Sequence, residues 1–128
     1  MNHKQRPLSP FMLGPHYRPQ LTSMMSIAHR ATGVFLSLVG APLLLWWVSA
    51  VSNGPAAYAT MRDALSSGLG QVVLILSLFC LFYHFFNGIR HLVWDTGRAL
   101  DIHSAYATGW AVLAATLAAA VVSLGVLL

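Results

Sequence analysis

Three long apolar stretches separated by short polar connections set the plan of this chain. No Asp, Glu, Lys or Arg lies between Arg30 and Arg62, between Asp63 and Arg90, or after Asp101. A helix needs about 20 predominantly apolar residues to cross the hydrocarbon of a bilayer. The pattern therefore predicts an all-α membrane protein with three transmembrane helices, at about 24–51, 66–94 and 104–128. Thr22 or Ser23 is placed to cap the first helix, and Asn53-Gly54-Pro55 to end it. The stretch 52–65 reads as a short loop with a turn of interfacial helix at Tyr58–Arg62. Pro42 should kink the first span unless a neighbour takes up the freed carbonyl. Two series of small residues recur at every fourth position, Gly33, Ser37, Ala41 and Ala107, Ala111, Ala115, Ala119, Ser123, and both predict close helix packing.

Before the first span the character changes. Residues 1–22 carry Pro7, Pro10, Pro15 and Pro19, which rule out a continuous helix. They read as an extended N-terminal arm on the cytoplasmic side, leaving 23–128 as a three-helix transmembrane domain. Composition agrees: 57% of residues are hydrophobic, 8% are charged and mean hydropathy is +0.67, where soluble domains have about 25% charged residues. The net charge of +4 matters through its distribution. Three spans put Lys4, Arg6, Arg18, Arg30, Arg90 and Arg98 on the N-terminal side and only Arg62 on the other, so that side is cytoplasmic. The charge thus reads as membrane topology and not as a footprint for nucleic acid. Neither a cleavable signal peptide nor an Arg- and Ser-rich presequence is expected, which favours a bacterial inner membrane over a mitochondrial one. The lone cysteine, Cys80, can close no internal disulfide and cannot by itself hold an iron–sulfur cluster. It reads as a small buried apolar residue.

The chemistry concentrates on the second span. His84, Gly88, His91 and Asp95 fall on one narrow stripe of that helix, and His84 lies ~16 Å deeper than Asp95 along the axis. A histidine at that depth requires a partner. Haem ligation, a hydrogen-bonded packing role and proton transfer are all open to it, and Gly88, one turn above, would leave room for a flat macrocycle. His84 and His91 stand ~10.5 Å apart on the same face. They cannot grip one iron from opposite sides, so a six-coordinate haem would need a ligand from another chain. On the first span, Ser26, His29 and Arg30 share an arc at about the depth of Asn87–His91. They suit either the carbonyl of a quinone or the propionates of a haem, against the plainer reading of a snorkelling Arg30 and a capping Ser26. Arg90 points away from the His84 stripe and is expected to snorkel or to pair with Asp95.

Arg6-Pro7-Leu8-Ser9-Pro10, Ser26-x-x-His29-Arg30-x-Thr32-Gly33 and His84-x-x-x-Gly88-Ile89-Arg90-His91-x-x-Trp94-Asp95-x-Gly97 resemble, in order and spacing, the cytochrome b membrane-anchor subunit of succinate dehydrogenase, the larger of its anchor subunits. The resemblance spans essentially the whole chain. It implies that His84 is an axial ligand of a haem b shared with a second hydrophobic anchor subunit, which supplies the opposing ligand. It implies that Ser26 and Arg30 line a ubiquinone site beside the iron–sulfur subunit, and that His29 and Arg30 lie near the haem propionates. Gly88 and His91 are expected in the same surroundings. Flavin, succinate and iron–sulfur chemistry would belong to the flavoprotein and iron–sulfur subunits, so the chain alone need not be an enzyme. One departure is that Phe11 follows Ser9-Pro10 where relatives continue with histidine, and Gly14-Pro15-His16-Tyr17 looks like a displaced version. Other readings are a fumarate reductase type anchor oxidising quinol, a cofactor-free structural anchor, and a small channel using His84 and His91 as a proton relay.

Overall fold

The structure, a computed structural model, describes residues 18–127. Most of the N-terminal arm, including Pro7, Pro10, Pro15 and the Gly14–Tyr17 segment, lies outside the described residues. Among the described residues every regular element is helical. Helix α1 (Leu21–Phe35) runs through a π-helical turn, Leu36–Gly40, into α2 (Ala41–Ser52). Helix α3 (Pro55–Ser66), α4 (Gly68–Asp95) and α5 (Ile102–Leu127) follow. Leu21–Ser52, Gly68–Asp95 and Ile102–Val126 are long and apolar enough to cross a membrane.

The first span starts at Leu21, one residue before the arm was expected to end. Gln20 is its N-cap, and neither Thr22 nor Ser23 caps it, since both lie inside the helix. The strain expected at Pro42 is absorbed upstream. Proline has no N–H to give to the preceding turn, and the π turn ends just before α2, with the Ala41 N–H reaching back to the Leu36 carbonyl. At the far end Asn53 closes α2, and Gly54, at φ 95°, makes a left-handed turn that Pro55 converts directly into α3. The expected loop is thus a full 12-residue helix. Gly70 lets α4 start hard against α3, because a Cβ there would run into the Ala64 carbonyl. The Ser67 hydroxyl caps α4 by accepting the Gly70 N–H at 3.1 Å.

The interior is small. Met25 of α1, Tyr83 of α4 and Val112 of α5 form its centre, with Leu21, Ala28, Phe86 and Leu113 packed around them. The Tyr83 hydroxyl donates to the Met25 carbonyl at 2.9 Å, joining α1 to α4. Helix α5 turns Ala105, Gly109, Val112, Thr116 and Ala120 inward. The expected series starting at Ala107 is not its buried face, and Ala107 and Ala111 are exposed. An α-helix has 3.6 residues per turn, so a face picked at a strict spacing of four drifts off the contact line.

Candidate functional site

The predicted residues come together where α1 crosses α4. Nδ1 of His84 lies 3.1 Å from the His29 carbonyl. A carbonyl can only accept, so Nδ1 carries the proton and donates. The Thr32 hydroxyl donates to the same carbonyl at 3.0 Å and stands 3.2 Å from Nδ1. With the proton held on Nδ1, the neutral ring keeps a free lone pair on Nε2. The His29 imidazole stacks on that of His84, with centroids 3.9 Å apart and planes 8° apart. Gly33 makes this approach possible, because a Cβ there would sit 2.9 Å from Cε1 of His84. Gly88 faces open space: nothing lies within 4 Å of where its Cβ would be.

His29 links this pair to His91, whose ring centre is 5.0 Å away and tilted by 51°. The Nδ1 of His29 is buried without a hydrogen-bond partner among the described residues. His91 in turn meets Trp94 edge-on at 5.3 Å and lies a long 3.4 Å from the Asn87 amide.

On the N-terminal side of this cluster is a cleft of about 420 Å³ lined by Thr22, Ser23, Ser26, Ile27, Arg30, Arg90, His91 and Trp94. It unites Ser26 and Arg30, as the sequence predicts, and adds His91. His84 and Gly88 do not line it, and Asp95 is exposed beyond it. The cleft has hydroxyl, imidazole and guanidinium groups on an apolar wall and no carboxylate. Such a lining donates hydrogen bonds to acceptor oxygens.

Arg90 corrects the sequence reading. It is 4% exposed and neither snorkels nor pairs with Asp95. Its Nε donates to the Thr108 hydroxyl at 3.1 Å, one terminal nitrogen to the Ala105 carbonyl at 2.8 Å, and the other to Asn87 Oδ1 at 3.4 Å. Its guanidinium carbon lies 3.9 Å from the centre of the Trp94 ring. Trp94 is held by its own N–H to the Ala99 carbonyl at 3.0 Å. Sequence reasoning missed Thr32 and Asn87 as parts of this site, and foresaw Gly33 as a close-packing position without placing His84 against it. For Asn87 a signal was present, since an amide in mid-helix, three residues before an arginine and four before a histidine, needs partners.

A multi-span helical membrane subunit with a histidine cluster near one end of its bundle is the class these features define. Residues 2–123 match the family described as the succinate dehydrogenase/fumarate reductase transmembrane subunit. The chain is 36% identical over 124 residues to the succinate dehydrogenase cytochrome b556 subunit of Paracoccus denitrificans, covering 97% of this chain and 93% of that protein. It is 38% identical over 111 residues to the cytochrome b556 subunit of Rickettsia bellii, covering 87% and 84%. It is also similar to the cytochrome b560 subunit of Reclinomonas americana, at 37% over 114 residues, covering 84% and 76%. The chain belongs to the succinate dehydrogenase cytochrome b membrane-anchor family.

Proposed function

We propose that this chain anchors succinate dehydrogenase in a bacterial inner membrane, provides one axial ligand to a haem b, and forms part of a ubiquinone reduction site. His84 is the ligand. The observation that carries this reading is the contact of its Nδ1–H with the His29 carbonyl, which leaves the Nε2 lone pair for a metal. The remaining ligand would come from the second hydrophobic anchor subunit, because His91 lies on the same face of α4 as His84 and cannot reach the same iron. His29 and Arg30 are the groups suited to haem propionates, with Gly88 giving clearance and His91 beside His29. When bound, the haem supplies a one-electron carrier next to the quinone site. The flavoprotein and iron–sulfur subunits complete the complex.

In the cleft, the Ser26 hydroxyl and the Arg30 guanidinium orient a quinone carbonyl and stabilise negative charge developing on its oxygen. The family spans both reaction directions, and succinate oxidation is favoured by relatives named for that enzyme. Two variants of the intact complex test the reading. His84→Ala should remove or strongly shift the b-type absorption band, and an unchanged reduced-minus-oxidised spectrum would reject the ligand. Arg30→Ala should abolish quinone reduction while succinate oxidation by an artificial acceptor survives. A parallel fall in both activities would make Arg30 an assembly residue.

A further inference from the structure

We propose that Arg90 and Asn87 fix the tautomer of His91, making it a third hydrogen-bond donor to a carbonyl oxygen bound in the Ser26–Arg30 cleft. The proposal rests on reading that cleft as the quinone site. Each group in turn limits what its neighbour can do. A guanidinium has only N–H groups to offer. Asn87, fully buried and 3.4 Å from an Arg90 terminal nitrogen, must therefore turn its Oδ1 toward Arg90. The reverse orientation would set amide N–H against guanidinium N–H inside the bundle. Once Oδ1 is committed, the Asn87 Nδ2 faces His91 Nε2, at 3.4 Å, as a donor. Nε2 then accepts, and the neutral His91 ring carries its proton on Nδ1. That N–H has no partner among the described residues, and His91 lines the cleft.

Arg90 borders the same cleft, but three of its five N–H groups are committed within the protein, to Thr108, Ala105 and Asn87, and these bonds fix the plane of the guanidinium. It therefore acts as a positioning residue, holding the amide that holds the imidazole. The ring is kept in place by the Trp94 edge on one side and by His29 on the other. The cleft thus presents donors from two helices, Ser26 and Arg30 on α1 and His91 on α4, to a ligand whose polar atoms only accept. That is the chemistry of a quinone carbonyl.

The test uses the intact complex with a short-chain ubiquinone analogue, and compares His91→Leu, His91→Asn and His91→Gln. The amide nitrogen of asparagine occupies roughly the place of imidazole Nδ1, and that of glutamine the place of Nε2. A hydrogen bond between neutral groups has a net worth of up to about 1.5 kcal/mol, or roughly tenfold in binding. His91→Leu should therefore raise KM for the quinone about tenfold and shift one carbonyl stretching band of ¹³C-labelled bound quinone to higher frequency. His91→Asn should recover most of both, and His91→Gln little. Asn87→Leu should reproduce part of the His91→Leu effect; should it fail to assemble, the three His91 variants decide. An unchanged KM and band in His91→Leu, or better rescue by glutamine than by asparagine, would overturn the proposal. In that event an Arg30→Ala complex that still loses quinone reduction leaves the quinone site standing, whereas one that retains it removes the reading beneath.

Discussion

Gly33 shows how much of a site can rest on a missing side chain. The His84 ring lies where a Gly33 Cβ would be 2.9 Å from Cε1, closer than real Cβ atoms come. Gly33→Ala must displace either the ring or the helix, and overpacking of this kind costs about 1–3 kcal/mol. The expected result is a lower midpoint of thermal unfolding for the complex even when haem supply is limited, with a weakened b-type band when it is not. Gly88 is different, because nothing in the chain itself lies within 4 Å of its Cβ position. If Gly88 clears room for haem, Gly88→Ala should matter only in the haem-loaded complex. Equal effects of both substitutions with and without haem would contradict this division. His84 was legible in the sequence because an ionisable group deep in an apolar helix costs energy unless it is used. Gly33 was legible as a close-packing position, but that its neighbour is the His84 ring was not, nor was the contact of Thr32, because both arise from the crossing of two helices. Arg90 was misread for a related reason. Its partners Ala105 and Thr108 belong to the next helix, and a single-helix projection left it facing nothing.

At the scale of elements, the α4–α5 pair depends on that arginine. Two of its three hydrogen bonds cross to α5, at Thr108 and Ala105. The ammonium of a lysine is a single point and cannot reach both while also serving Asn87. Interhelical hydrogen bonds in membranes are worth about 0.6–1.7 kcal/mol each. Arg90→Lys should therefore lower stability by roughly 1–3 kcal/mol, read as faster unfolding in a denaturing detergent; unaltered unfolding would show that packing alone holds α5. Where α5 begins, Asp101 accepts the Ser104 N–H at 2.9 Å. Hydrogen bonding to the Ser104 side chain and backbone holds the exposed Asp101 carboxyl below its ordinary value. Its folded pKa is depressed, so its support for the α5 start is fully present above the unfolded carboxylate pKa of about 3.9 and fades as pH falls through the folded value. Amide protection at Ser104 should stay level from neutrality down to that region and then drop, and Asp101→Ala should remove the pH dependence. Of the elements, the three spans were legible from run length and absence of charge. Helix α3 was legible only as a turn at Tyr58–Arg62, since Gly54 and Pro55 read as loop signals, yet here they serve as its cap and first residue.

Taken whole, the molecule is an incomplete object outside a bilayer. Val34, Leu38, Leu44, Leu45, Val72, Phe85, Leu117, Val121 and Val126 are all exposed, and the three-residue core at Met25, Tyr83 and Val112 is small for spans of this length. Lipid and neighbouring subunits must cover the rest, which explains why pattern revealed the spans more readily than their mutual packing. Orientation depends on charge, and the structure refines the count. Arg90 is buried and satisfied, so it is withdrawn from the cations that face the membrane surface. Arg18, Arg30 and Arg98 remain exposed toward the N-terminal end of the bundle. On the opposite side stands Arg62, its charge partly offset by Asp63 at 3.5 Å. The asymmetry survives the loss of Arg90, so the expectation that the N-terminal side faces the cytoplasm keeps its basis in charge. Native Cys80 is 6% exposed and within α4, so it gives little background to an impermeant thiol reagent. Thr60→Cys on α3 and Leu100→Cys between α4 and α5 report on the two sides without altering any charge. In spheroplasts the reagent should label the cysteine at position 60 and spare that at position 100. In inverted vesicles stripped of peripheral subunits it should do the reverse. Labelling of both positions from one side would leave α4 outside the bilayer as a span and overturn the three-span topology. The two results exchanged would keep the spans and invert the orientation, placing the donor-lined cleft on the side away from the cytoplasm.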